Sequence, residues 1–314
     1  MSSSSKFDTR KICTPKEQSN KDVFEKYDDY KYPYSKYGLG LIDAPPIYNK
    51  CSNYFHQELR LNCSSYGFRA PIEVWQNGNA RDIWKCLGPI WRGINMKRVL
   101  DKDSYMSAFR LGTYIATQFK PVVAKTIYDI TNAETVLDTS CGWGDRLAGF
   151  FASKATYYYG CDPNPNTYKN YQKQIEEYSK FFPNKTVKIW RCGAEDLPYN
   201  ELPDIDCAFT SPPYFSTEEY NKGGELEENQ SWFKFNEYEK WRDDFYLPVL
   251  KNSFNSLSET GHMFINIMDP TLFQEIPEEE REFKDCQASG TSFVCPANSP
   301  QGYTCLPTRS EDLF

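Results

Sequence analysis

Short apolar runs alternate with longer amphipathic stretches from about residue 120 onward, and the two periods take turns along the chain. Runs of four to eight apolar or β-branched residues bounded by turn formers read as buried strands, whereas a 3.6-residue apolar rhythm reads as helix. The pattern predicts strands at 135–138, 157–162, 187–192, 206–210 and 261–268, and a late strand at 291–294. Helices are predicted at 143–152, 164–181 and 235–257, the last broken at Pro248. Two shorter helices, 105–116 and 121–130, come before them, and the second opens with proline in its first turn. Strands that alternate with helices predict an α/β class: a doubly wound, mostly parallel sheet. No internal repeat is visible.

Residues 1–37 are polar and carry no sustained apolar rhythm, so they read as a mobile arm. Residues 38–118 form a turn-rich basic region, and 119–314 the α/β domain. The overall charge of −7 hides an asymmetry. Residues 1–130 hold 20 Lys and Arg against 13 Asp and Glu, whereas residues 131–314 hold 16 against 30. A basic half of this kind can meet phosphates, and the acidic half repels them. The candidates for phosphate contact are the stretch Trp91-Arg92-Gly-Ile-Asn-Met-Lys97-Arg98, with Arg69 and Arg81.

Composition removes several classes. Aromatic residues make up 16% of the chain, too many for a disordered polar polymer. No apolar run approaches the roughly 18 residues of a membrane span, and the N-terminus has no apolar signal core, which predicts an intracellular, soluble protein that is not secreted. The 11 cysteines are odd in number and contain no C-x-x-C pair, so reduced thiols are expected and no metal site.

Two turns carry the candidate chemistry. The first strand runs into Asp138-Thr-Ser-Cys-Gly142-Trp-Gly144. Gly142 and Gly144 permit a tight turn and a close ligand approach, with Ser140 beside them. Leu147 occupies the third glycine place, so this is not the dinucleotide fingerprint. Asp162 closes the second strand, where a carboxylate can accept both hydroxyls of a ribose or cap the following helix. Glu195 and Asp196 follow the third strand. The fourth strand ends in Ser211-Pro212-Pro213-Tyr214. Two successive prolines lack N–H donors and have fixed φ, so they stiffen a strand end and hold Ser211 and Tyr214 in a set relation.

The strand followed by D-x-x-x-G-x-G resembles motif I of S-adenosylmethionine-dependent methyltransferases. Together with S-P-P-Y at the fourth strand it resembles the DNA amino-methyltransferases, which methylate adenine N6 or cytosine N4, over roughly residues 119–268. The resemblance implies a Rossmann-like class I methyltransferase fold and S-adenosylmethionine as cofactor. It places Asp138, Ser140, Gly142, Gly144, Asp162, Glu195 and Asp196 at the cofactor. Phe119-Lys120-Pro121 matches the family's motif X, which puts Lys120 and Pro121 at the methionine end.

The family's [D/N/S]-P-P-[Y/F/W] motif maps onto Ser211, Pro212, Pro213 and Tyr214 as the catalytic set. An exocyclic amine is a poor nucleophile because its lone pair is delocalised into the ring. Ser211 Oγ and the Pro212 carbonyl would accept its protons and localise that lone pair, and Tyr214 would stack on the base. The base is flipped out of the duplex or presented single-stranded. Phe215 and Trp232 are candidate pocket walls, with core packing as their other reading. Serine in the first place leans towards cytosine N4, with adenine N6 open. The partner is nucleic acid, DNA first; RNA, protein glutamine, or an inactive nucleic-acid-binding subunit are the alternatives. Cytosine-C5 chemistry is disfavoured, since it needs a Pro-Cys nucleophile where this chain has Ser-Pro-Pro-Tyr, and Cys141 is a packing residue.

Overall fold

The computed structural model describes residues 46–65, 67–93, 109, 111–215, 219–224, 226–266 and 303–306. Six strands form one sheet in the spatial order β3-β2-β1-β4-β5-β6. They are β1 (Thr135–Asp138), β2 (Tyr157–Cys161), β3 (Thr186–Trp190), β4 (Ile205–Thr210), β5 (Leu257–Asn266) and β6 (Tyr303–Leu306). The first five run parallel, with Asp138 opposite Gly160 and Val136 opposite Cys207. β6 closes the β5 edge in the antiparallel sense, with Asn266 opposite Tyr303.

Strand alternation splits the core into two layers. Val136, Tyr158, Phe209 and Phe264 point to one face, where they meet Tyr128, Leu147, Phe150, Tyr171 and Tyr178. These come from α4 (Pro121–Ile130), α5 (Asp145–Ala152) and α6 (Pro165–Ser179). Leu137, Ala208, Met263 and Ile265 point to the other face and meet Trp241, Phe245, Val249 and Phe254. Helices on both faces of a parallel sheet whose order reverses between β1 and β4 make a doubly wound, Rossmann-like fold of the class I methyltransferase type. Among the described residues, no helix is long and apolar enough to cross a membrane.

Among the described residues, three α-helices come before α4: α1 (Lys50–Leu61), α2 (Pro71–Asn77) and α3 (Ala80–Gly93). α1 packs against α6 and is also tied to the chain that leads into α4. Asn170 Nδ2 donates to the Phe55 carbonyl at 2.7 Å, Tyr178 Oη to the Cys51 carbonyl at 2.7 Å, and Arg60 Nη1 to the Ala116 carbonyl at 3.1 Å. α1 turns part of its buried side to α6, while Tyr171 and Tyr178 of α6 also belong to the core layer under the sheet.

Several boundaries differ from the sequence expectation. Residues 111–116 form turns and irregular chain, so the predicted helix at 105–116 does not extend through them. The predicted helix at 235–257 is broken upstream of Pro248. A turn at Tyr238–Lys240 leads into a π-helical segment, Trp241–Tyr246, and α7 (Leu247–Asn255) begins there with Pro248 in its first turn. The missing N–H of Pro248 falls where a helix start leaves N–H groups unpaired, and the wider π turn takes up the change. β5 starts at Leu257, four residues earlier than expected. The arm at 1–37, the strand at 291–294 and the basic stretch 94–98 lie outside the described residues.

Candidate functional site

The β1–α5 turn is held from beneath by Asp138. Its carboxylate is fully buried and accepts Arg146 Nε at 2.8 Å, Tyr158 Oη at 2.7 Å and the Ser140 N–H at 3.1 Å. Asp138 therefore positions the turn and is not among the residues that line the cavity. Arg146 also donates to the Ser140 carbonyl, and its guanidinium lies 5.5 Å from the Phe119 ring centre. Gly142 and Gly144 take φ of 58° and 70°, a region that glycine enters without strain. A Cβ on Gly144 would come within 2.7 Å of His56 Nε2. Thr139, Ser140 and Gly142 of the turn line a cavity at the carboxyl ends of the strands, at the reversal of strand order where such folds bind ligands. Cys141 packs below it, 1% exposed, and burial pushes its thiol pKa well up.

Asp162 stands opposite. Oδ1 accepts the Asn164 N–H at 2.9 Å and the Thr167 hydroxyl at 2.8 Å, while Oδ2 accepts the Gly142 N–H at 3.1 Å and Tyr171 Oη at 2.9 Å. Both expected roles meet here, since Asp162 ties the start of α6 to the glycine turn and also lines the cavity. Burial raises its pKa above the ordinary carboxylate value, against the pull of the four donors. Two of those donors have a second acceptor in reach: Tyr171 Oη can turn to the Gly142 carbonyl, and Thr167 Oγ1 to the Asn164 carbonyl at 3.0 Å. The four acceptor positions of the Asp162 carboxylate are thus met within the chain by two main-chain N–H groups and two hydroxyls.

Behind β3, Glu195 reaches the cavity and pairs with Lys234 Nζ at 2.8 Å, whereas Asp196 is exposed and does not line it. Of the two acids, Glu195 is the one on the cavity wall. Lys120 is exposed and caps the start of α4, and Pro121 is buried at its first position. Neither lines the cavity. Of the motif X stretch, Phe119 is the residue that reaches the turn, beneath Arg146.

The fourth-strand motif divides in two. Ser211 and Pro213 line the cavity. Pro212 is buried, and Tyr214 is packed into the second core layer at 9% exposure. Tyr214 Oη donates to the Asn266 carbonyl at 3.2 Å and lies 3.4 Å from Ser211 Oγ. The ring expected to stack on a base is thus committed to the core. Phe215 packs on Tyr238 and Trp241, and Trp232 on Phe233, so both serve packing and neither lines the cavity. The rings that do line it are Trp143 and Tyr220, edge to face with centres 6.3 Å apart, and Phe245. Tyr220 and residues 229–231 come from the segment after the motif, where no periodicity marks a wall.

These pieces enclose one cavity of about 170 Å3 that runs from the glycine turn past Asp162 and Glu195 to Ser211. It is smaller than the ~300–1,000 Å3 of a complete small-molecule pocket, so an extended ligand must continue beyond it. Sequence reasoning missed Trp143 and Tyr220 as walls, and Asn266 as a partner of Ser211. Trp143 sits between the two glycines and could have been read from its place. Asn266 closes an apolar strand, which is the one local signal it offers.

Of the basic candidates, Arg69 is tied to Glu73 at 2.6 Å and to Asp82 at 3.1 Å, and Arg81 is exposed.

No protein-family model and no curated protein matches the chain. Solved structures are similar only loosely. An rRNA methylase from Streptococcus thermophilus is 13% identical, over 62% of this chain and 100% of that one, with a TM-score of 0.36. TrmN from Thermus thermophilus is 20% identical, over 50% and 40%, with a TM-score of 0.31. Precorrin-6y C5,15-methyltransferase from Geobacter metallireducens is 11% identical, over 61% and 74%, with a TM-score of 0.32. The fold assignment rests on the strand order and the two-sided helix layers, with the glycine turn and Ser211 on one cavity.

Proposed function

We propose that this chain is an S-adenosylmethionine-dependent methyltransferase that acts on the exocyclic amine of a base in nucleic acid, DNA first. The observation that carries the reading is the single cavity shared by the glycine turn, Asp162, Glu195 and Ser211. A nucleoside-bearing cofactor fits the lining: the Asp162 carboxylate lies on the cavity wall, Gly142 permits close backbone approach, and Glu195 is an acceptor for an adenine amine. When bound, the cofactor supplies an electrophilic methyl group.

The chain's own residues supply the rest. Ser211 Oγ, at the mouth of the rigid Pro212-Pro213 corner, accepts a hydrogen bond from the target amine and localises the nitrogen lone pair, and the proton that the methylated nitrogen loses passes to solvent. Fixing amine and methyl group in line on one wall contributes through positioning. Trp143 and Tyr220 give flat faces for a planar ring. Among the described residues, no cysteine lines the cavity, which agrees with direct transfer over a covalent base adduct. Cytosine N4 and adenine N6 both present the required group, and the first-place serine leans to N4.

The test is incubation with labelled S-adenosylmethionine and separate DNA, RNA and protein pools, followed by mass spectrometry of the hydrolysed product. N4-methylcytosine or N6-methyladenine in DNA is the expected result. Label confined to RNA or to protein glutamine would move the substrate assignment, and no transfer with intact cofactor binding would end the catalytic reading.

A further inference from the structure

The hydrogen bonds around Ser211 close on one arrangement. Asn266, 4% exposed at the end of β5, places Nδ2 3.1 Å from Ser211 Oγ and 3.3 Å from Tyr214 Oη. Tyr214 has one phenolic proton, and it goes to the Asn266 main-chain carbonyl at 3.2 Å. The two Nδ2 protons then go one to each hydroxyl oxygen. Ser211 Oγ lies 3.4 Å from Tyr214 Oη, so its own proton has Tyr214 as acceptor within the protein. One lone pair on Oγ remains, on the side where Ser211 lines the cavity. Turning the Asn266 amide over gives the same outcome, because Oδ1 would then accept the Ser211 proton. In the present orientation Oδ1 is buried with no partner.

Resting on the amino-methyltransferase reading, we infer that Asn266 and Tyr214 are positioning residues that hold the Ser211 proton out of the cavity. Ser211 then presents an acceptor only. A serine free to rotate offers a donor as readily as an acceptor, and so greets a carbonyl or a ring nitrogen as well as an amine. A serine held in this way favours a substrate –NH2 over an oxo group at the same place. This assigns Tyr214 a role beneath the site, in the core, in keeping with its burial.

The test compares Asn266→Leu, Asn266→Asp and Tyr214→Phe with the wild-type chain, on whichever nucleic acid the wild type modifies. Asn266→Leu keeps the volume and removes both polar atoms; combined with Tyr214→Phe, it is expected to lower kcat about a hundredfold, with KM and cofactor Kd within twofold. Asn266→Asp keeps acceptors for both hydroxyl protons, and most of the rate should return, which a merely structural role would not produce. Each single variant leaves the Ser211 proton one acceptor, Tyr214 Oη or Asn266 Oδ1, so the decisive protein is Asn266→Leu combined with Tyr214→Phe, or Asn266→Ala combined with Tyr214→Phe where the leucine variant does not fold. Wild-type kcat in either folded double variant overturns the inference and leaves the amine reading intact. A wild type that binds cofactor and methylates no amine overturns the functional reading, and this one with it.

Discussion

Ser211 is the residue on which the functional reading turns. Its Oγ is the acceptor that lines the cavity, and Ala in its place removes that acceptor without touching the glycine turn or Asp162. Ser211→Ala should lower kcat about a hundredfold while cofactor affinity stays within twofold, as read by single-turnover kinetics and calorimetry. Gly144 is decisive in a different way. Its φ of 70° and the nearness of His56 leave no place for a Cβ. Gly144→Ala should cost about 1–3 kcal/mol in urea unfolding. At this scale the sequence was informative where chemistry and backbone demand coincide. Gly142, Asp162, Glu195 and Ser211 all reach the cavity. It misled where one polar residue has two possible uses: Asp138 looks the same in the chain whether it holds a ligand or Arg146, and Tyr214 the same whether it stacks or packs.

At the scale of elements, α5 is held at both ends by unlike groups. At its start Asp145 is buried and accepts Gln118 Nε2 at 2.8 Å and the Ser52 hydroxyl. Burial raises its pKa from 3.8 to about 7. Between those values the folded chain keeps a proton that the unfolded chain releases, so this group makes stability fall as pH rises through the window. His56, on α1, has its pKa lowered by burial from 6.5 to about 4. There the unfolded chain takes up a proton that the folded one refuses, so this group makes stability fall as pH drops. The two slopes oppose each other between about pH 4 and 6.5. Asp145→Asn removes one of them and keeps an acceptor for Ser52 and Gln118. Its thermal midpoint should decline more steeply than that of the wild type from pH 6.5 to 4.5; parallel declines would contradict the buried acid. At the far end of α5, Lys185 donates to the carbonyls of Phe150 at 3.1 Å, Ser153 at 2.9 Å and Ala155. Lys185→Met leaves those carbonyls without their cation, and a loss of about 1–3 kcal/mol in urea unfolding is expected.

For the molecule as a whole, the parallel sheet was legible because each of its strands is a short apolar run between helices, and all five were found within a few residues. The helix at 235–257 was not resolved into its parts, since the π turn at Trp241–Tyr246 has the same apolar content as an α-helical turn. The attachment of α1 to α6 was invisible as well. It rests on side chain-to-carbonyl bonds between residues more than a hundred positions apart, such as Asn170 to Phe55, which leave no local trace.

The pairing of Asn266 with Tyr303 has a consequence for timing. β1 to β5 are all synthesised before β6, and domains begin to fold as they emerge. Until β6 arrives, β5 is an open edge of apolar strand, a template for another chain. The same late arrival fixes the main chain of Asn266, whose carbonyl takes the Tyr214 proton. A chain ended at residue 300 should therefore keep the glycine turn and Asp162, bind cofactor, and yet turn over slowly and self-associate, as light scattering would report. On the proposed reading, the cofactor half of the site is complete while the chain is still growing, and turnover waits for β6.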